Sequence, residues 1–225
     1  MAKIISLETA TKVCSIALHE GGKLIADQTY HLEKSHSSLL PQIIKELLIN
    51  CEVELSDIDA FAVSSGPGSY TGLRIGVTTA KGMAYAMNKP LIGISTLQAM
   101  ALQVQNLHPE DAYFCPMIDA RRMEVYCLLA DHGGQNWDVS PLIVEEGSFE
   151  EFTDKPILLF GDGAMKTKEV LKQRNLVWLL DVHPSAKEIG VLAYEKFQKG
   201  EFEDVAYFEP FYLKEFQTKP AKKLL

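Results

Sequence analysis

Ser64-Ser65-Gly66-Pro67-Gly68-Ser69-Tyr70-Thr71-Gly72-Leu73-Arg74-Ile75-Gly76 decides the reading of this chain. It closes an apolar run, Asp59 to Ser65, that reads as a strand. It then turns through glycines into a helical pattern from Thr71 to Asn88. A strand, a tight turn and a helix N-terminus in that order present backbone N–H groups to an anion, with Gly66 and Gly68 as candidate contacts. The plainer reading is a structural turn without a ligand. The stretch is not a Walker A loop, since no Gly-Lys-Ser/Thr follows, and not a dinucleotide G-x-G-x-x-G. Within the helix, Gly72, Gly76, Ala80 and Ala84 recur every fourth residue, each step turning about 40°, so they form one slanting ridge of small side chains. Glycine costs a helix interior roughly 1 kcal/mol relative to alanine. Close approach of another backbone, internal or from a second chain, offsets that cost.

Upstream, Ile4 to Thr9, Val13 to His19 and Lys23 to Tyr30 read as three strands, the last two joined by a hairpin turn at Gly21-Gly22. Ser35 to Cys51 is helical, with Ser35, Ser37 or Ser38 as cap and Pro41 in the first turn. Its apolar residues Leu39, Leu40, Ile43, Ile44, Leu47 and Leu48 span about half the wheel, against the roughly 100° stripe of an ordinary surface helix. Deeper burial in the same lobe and a second apolar partner both account for the surplus. Leu91 to Ile94 is a short strand, and a helix begins at Thr96.

The second half restarts the pattern. Pro116-Met117-Ile118-Asp119 matches Ile5-Ser6-Leu7-Glu8, each ending in an acid. Each run leads to an apolar strand, Val13 to Leu18 or Met123 to Ala130, and then to a double glycine, Gly21-Gly22 or Gly133-Gly134. That reads as a duplication at long period, with chance likeness of two short runs as the alternative. Helix at Ser148 to Phe152, strand at Ile157 to Phe160, helix at Gly163 to Arg174, strand at Val177 to Leu180 and helix at Ser185 to Lys199 follow. The aromatic tail Phe208-Glu209-Pro210-Phe211-Tyr212-Leu213 is expected to pack back on the body. The fold class is α/β, in two mixed lobes, residues 1–106 and 107–225, with a ligand crevice where their strand ends face one another.

Composition narrows the function. Of 225 residues, 47% are hydrophobic, as in ordinary globular proteins. The 22 Lys plus Arg against 30 Asp plus Glu leave a net charge of −8. That balance disfavours unaided binding to nucleic acid. Cys14, Cys51, Cys115 and Cys127 form no C-x-x-C pair and sit in apolar stretches, as buried reduced thiols do. The N-terminal apolar run is too short for a signal peptide, and no stretch is long enough to span a membrane, so the expected location is cytoplasmic.

Few residues carry chemistry. His31 and His36 stand five apart, where helical metal pairs stand three or four apart, so neither a metal nor another cofactor is expected. Glu8 and Asp119, at equivalent strand ends, are placed to hold a metal–phosphate group or a water, or simply to accept N–H bonds in the turns that follow. Gly161-Asp162-Gly163-Ala164 is either a contact for a nucleotide, through Gly161 and Gly163, or a helix-start turn. No G-x-S-x-G is present, and no cysteine has a histidine partner in a motif.

These residues resemble the TsaB family. The resemblance is carried by Ile5-Ser6-Leu7-Glu8-Thr9-Ala10, His36-Ser37 with Leu39-Leu40-Pro41, Gly66 to Gly76, and Ile118-Asp119-Ala120-Arg121 with Glu124-Val125-Tyr126. It implies the actin/Hsp70-like (ASKHA) fold of two duplicated ribonuclease-H-like lobes. It also implies a non-catalytic scaffold in the machinery that places threonylcarbamoyl on a tRNA adenosine. The scaffold's partners would be a TsaD-like catalytic subunit and a TsaE-like ATPase, with tRNA met only through the complex. TsaD holds a metal with H-x-x-x-H, and the comparable stretch here, His31 to His36, has a different spacing. The resemblance places the partner contact on the first-lobe helices, at Leu39, Leu40, Ile43, Leu47, Gly72, Arg74, Gly76, Ala80 and Ala84. The competing readings are an ATP-dependent kinase or hydrolase, and a homodimeric structural protein. The family often has a small residue after Ile-Asp-Ala-Arg; here Arg122 stands there, a further cation beside the crevice.

Overall fold

A computed structural model describes residues 1–32, 36–108, 110–133 and 139–213. Ser35 and Gly134, named above as cap and turn residues, lie outside the described residues.

The first sheet is built on β1 (Lys3–Glu8), whose near-continuous apolar run suits a strand covered on both faces. β2 (Val13–Glu20) pairs with it antiparallel and β3 (Lys23–His31) extends the meander. β4 (Ala60–Gly66) and β5 (Leu91–Ser95) add parallel strands on the other side, giving the order β3-β2-β1-β4-β5. The second sheet contains β6 (Tyr113–Asp119), β7 (Glu124–Cys127), β8 (Ser140–Ile143), β9 (Ile157–Phe160) and β10 (Leu176–Trp178). Its order, β8-β7-β6-β9-β10, repeats the first strand for strand, with two antiparallel and two parallel pairings in each. The duplication read from two short acidic-ended runs is therefore a duplication of topology.

Alternation of side chains decides which helix covers which face. Ile5, Leu7, Phe61 and Val63 meet α1 (His36–Asn50) and α2 (Tyr70–Met87). Ile4, Ala60, Ala62 and Ile92 meet α5 (Ala186–Lys199), which comes from the second half of the chain. The exchange is mutual. α3 (Thr96–Gln105), encoded in the first half, packs Leu97, Met100, Ala101 and Val104 against Phe114, Ile118 and Phe160 of the second sheet. The tail runs back over the first lobe: Glu203 bridges Leu91, and the Phe211 N–H donates to the Ser65 carbonyl at 2.7 Å.

Three elements differ from the sequence reading. β8 was not anticipated. Ser148 to Phe152 forms successive turns rather than a helix. The helix expected from Gly163 to Arg174 is reduced to α4 (Ala164–Thr167). There the Thr167 hydroxyl donates to the Ala164 carbonyl at 2.7 Å, competing with the next helical bond, and Lys168 N–H falls back to Met165. α1 begins at His36, close to the expected start, so Ser37 and Ser38 sit inside its first turn rather than capping it, and Pro41 falls in its second turn rather than its first.

Candidate functional site

The carboxyl ends of β1 and β4 meet in the first lobe, and those of β6 and β9 in the second. In each lobe a Gly-bearing turn packs onto the neighbouring strand end. Ser69 caps α2 with its side chain and donates its N–H to the Ala10 carbonyl at 2.6 Å. A Cβ on Gly68 would overlap Ala10, and one on Gly72 or Gly76 would overlap Thr9. The Thr9 hydroxyl in turn donates to the Gly72 carbonyl at 2.8 Å. In the second lobe a Cβ on Gly161 would overlap the Met117 carbonyl, and one on Gly163 the Ile118–Asp119 backbone. Gly163 N–H donates to Met117 at 3.0 Å. Gly66, at φ 112°, lies against the Phe211 carbonyl of the tail. These glycines thus give room to the chain's own backbone, as the plainer reading of each turn expects.

The two acids differ. Glu8 is fully buried; its Oε1 accepts from Ala10 N–H at 2.6 Å and from the Ser64 hydroxyl at 3.0 Å. Its Oε2 has no partner among the described residues. Burial outweighs those bonds and pushes the carboxyl up to about 7. Cys14 on β2 is pushed up to about 11, by burial first and then by Glu8. Asp119 is exposed; its Oδ1 accepts from Arg121 N–H at 2.9 Å and is paired with Lys166, whose ammonium also donates to the Glu124 carbonyl at 2.6 Å. Asp162 accepts from Asp119 N–H at 2.9 Å, and burial raises its carboxyl. Both acids therefore brace turns.

The histidines go separate ways. His36 is buried and its Nε2 meets the Thr11 carbonyl at 2.8 Å, whereas His31 packs edge-on against His183 with centroids 4.9 Å apart. Among the described residues no group of three or more His, Cys, Asp or Glu is arranged to hold a metal. No helix among them is long and apolar enough to cross a membrane.

The helix faces require a correction. Gly72, Gly76, Ala80 and Ala84 are buried against the first sheet, so the small-residue ridge serves the lobe's own packing. Leu40, Ile43 and Leu47 are equally buried in that core. None of the seven forms an outer surface. Leu39 is half-buried and Arg74 exposed. Arg74 lies over the Tyr70 ring at 4.2 Å and its Nε donates to the Tyr212 hydroxyl at 3.2 Å. A shallow groove of about 510 Å³ runs along this outer face, lined by Ser37, Tyr70, Arg74, Ile75, Thr78 and Thr79 among others. Sequence reasoning missed Lys166 and His183, because each is brought in from a distant segment with no motif around it, and it placed Tyr212 in a tail that packs on the body without seeing its contact to Arg74.

Two sheets of identical strand order, with helices traded between them, define the two-lobed actin/Hsp70-like class. Relatives narrow the class. The family model described as TsaD: tRNA N6-adenosine threonylcarbamoyltransferase matches residues 24–222. The tRNA threonylcarbamoyladenosine biosynthesis protein TsaB of Bacillus subtilis is 30% identical over 94% of this chain and 93% of its own length. That of Escherichia coli is 31% identical over 94% of each. A Pseudomonas aeruginosa crystal structure, described as similar to peptidase YEAZ, superposes with a TM-score of 0.84. It covers 95% of this chain and 100% of its own, at 26% identity. The chain belongs to the TsaB family.

Proposed function

We propose that this chain serves tRNA threonylcarbamoyladenosine biosynthesis as a non-catalytic subunit, pairing with a TsaD-like transferase and working beside a TsaE-like ATPase. The observation that carries the reading is the near full-length likeness to two TsaB proteins. The interior of the site favours a supporting role. Glu8 and Asp119 are bound into their own turns, and His36 is held by the Thr11 carbonyl rather than facing His31. A carboxylate that accepts its own loop's N–H groups is a brace, whereas a base or metal ligand must be free to meet substrate.

The partner face in this reading is the outer side of α2 with the start of α1. It offers the groove of Ser37, Tyr70, Ile75 and Thr78, with Arg74 stacked and hydrogen-bonded in place. A stacked arginine loses little side-chain freedom on binding, which favours it as an anchor. The test is gel filtration of this chain mixed with a TsaD-like subunit. Co-elution as a stoichiometric heterodimer is expected; separate elution at micromolar concentration refutes the pairing.

A further inference from the structure

Arg121 and Arg122, in the turn between β6 and β7, both have left-handed backbones, with φ of 69° and 49°. Positions of this kind favour Gly, which has no Cβ to crowd the following carbonyl oxygen, or Asn and Asp, whose short polar side chains hydrogen-bond locally. In the equivalent first-lobe turn, none of Thr9, Ala10, Thr11 and Lys12 is left-handed. The strain is imposed from outside the two residues. Asp119 accepts the Arg121 N–H, Lys166 pins Asp119, and Ala120 N–H bonds the Glu124 carbonyl at 3.1 Å. Both arginines are exposed, and neither guanidinium has a hydrogen bond, ion pair or ring contact among the described residues. Asp119, the acid at the end of the preceding strand, is already paired with Lys166. Backbone strain that is held in place, at the carboxyl end of the strands, around two free cations, is a feature of ligand clamps rather than of packing.

We propose that Arg121 and Arg122 form a phosphate clamp for the RNA backbone, so that this chain contributes directly to holding tRNA within the complex. The inference rests on the function proposed above. Arginine suits the task because its planar fork meets two phosphate oxygens at once. The overall charge of −8 makes such a contact local, effective only when a partner supplies the rest of the surface.

The experiment titrates a fluorescein-labelled tRNA transcript with the complex of this chain and a TsaD-like subunit, between about 50 and 200 mM salt. The test variant is Arg121→Gly/Arg122→Gly, which removes both cations and relieves the left-handed backbone together. Each lost phosphate contact lowers the slope of log affinity against log salt by about 0.7–0.9. The double variant is therefore expected to lose about 1.5 in slope and to bind about tenfold more weakly at the lowest salt, with an unfolding temperature no lower than wild type. Arg121→Lys/Arg122→Lys should keep most of the slope. An unchanged slope in a complex that still assembles overturns the clamp and leaves the proposed function standing. Displacement of the tRNA by submillimolar ATP, dependent on the arginines, overturns it in favour of a small-anion site. Failure of the wild-type chain to assemble removes the proposed function, and the clamp with it.

Discussion

Glu8 is a carboxyl whose buried environment moves it well away from its exposed chemistry. Its folded value of about 7 stands above the ordinary 4.5 because burial outweighs the Ala10 and Ser64 bonds. A raised carboxyl binds its proton more tightly when folded. The stabilisation is complete below about 4.5 and is lost as pH rises through 7. The difference corresponds to about 3 kcal/mol across that window. Glu8→Gln keeps a carbonyl for Ala10 and Ser64 but cannot ionise. Calorimetric unfolding between pH 5 and 8 should show wild type losing stability relative to this variant as pH rises; parallel curves would mean that Glu8 does not titrate there. Gly72 gives a second test. A Cβ there would overlap the Thr9 carbonyl, so Gly72→Ala should destabilise by about 1–3 kcal/mol in urea unfolding, despite alanine's better helix propensity. A change below about 0.5 kcal/mol would place the ridge elsewhere. The sequence announced that these glycines need close approach, but not whose backbone approaches. That answer depends on the β1 connection, some sixty residues away in the chain, and no local pattern encodes it.

At the scale of elements, α2 divides into two jobs. Its inner face closes the first lobe, and its outer face, touched by the tail at Arg74 and Lys81, leaves Thr71, Thr78 and Tyr85 exposed, Tyr85 to 80%. Thr78→Arg on the outer face should leave the unfolding free energy within about 0.5 kcal/mol of wild type. The same change should weaken binding to a TsaD-like subunit at least about tenfold, a loss of 1.4 kcal/mol or more. Isothermal titration together with a melting curve checks both, and a loss of stability in step with binding would count against the assignment. The first-lobe elements were legible because each has a long single-period pattern, from Ile4–Thr9 to the helix after Ser69. The second lobe was less so. β8 is four residues, mostly exposed and containing Pro141, too short for an alternation to register. α4 stops where the Thr167 hydroxyl takes over a backbone acceptor, a competition that helical propensity does not express.

The whole molecule is two copies of one sheet plan tied together by exchanged helices. α3 leaves the first half to cover the second sheet, and α5 returns to cover the first. Neither sheet completes its core without chain from the other half, so the lobes should unfold together; a single calorimetric transition is the corresponding signature. The proposed pairing with a transferase would leave the chemistry to that partner. The most direct measurement of that division is transfer of label into tRNA from threonylcarbamoyl-adenylate labelled in its threonyl group, by a TsaD-like subunit with a TsaE-like ATPase and ATP, with and without this chain. The account predicts multiple turnover only when the chain is present, and none from the chain alone. Undiminished turnover in its absence, or transfer by the chain without the TsaD-like subunit, would contradict it.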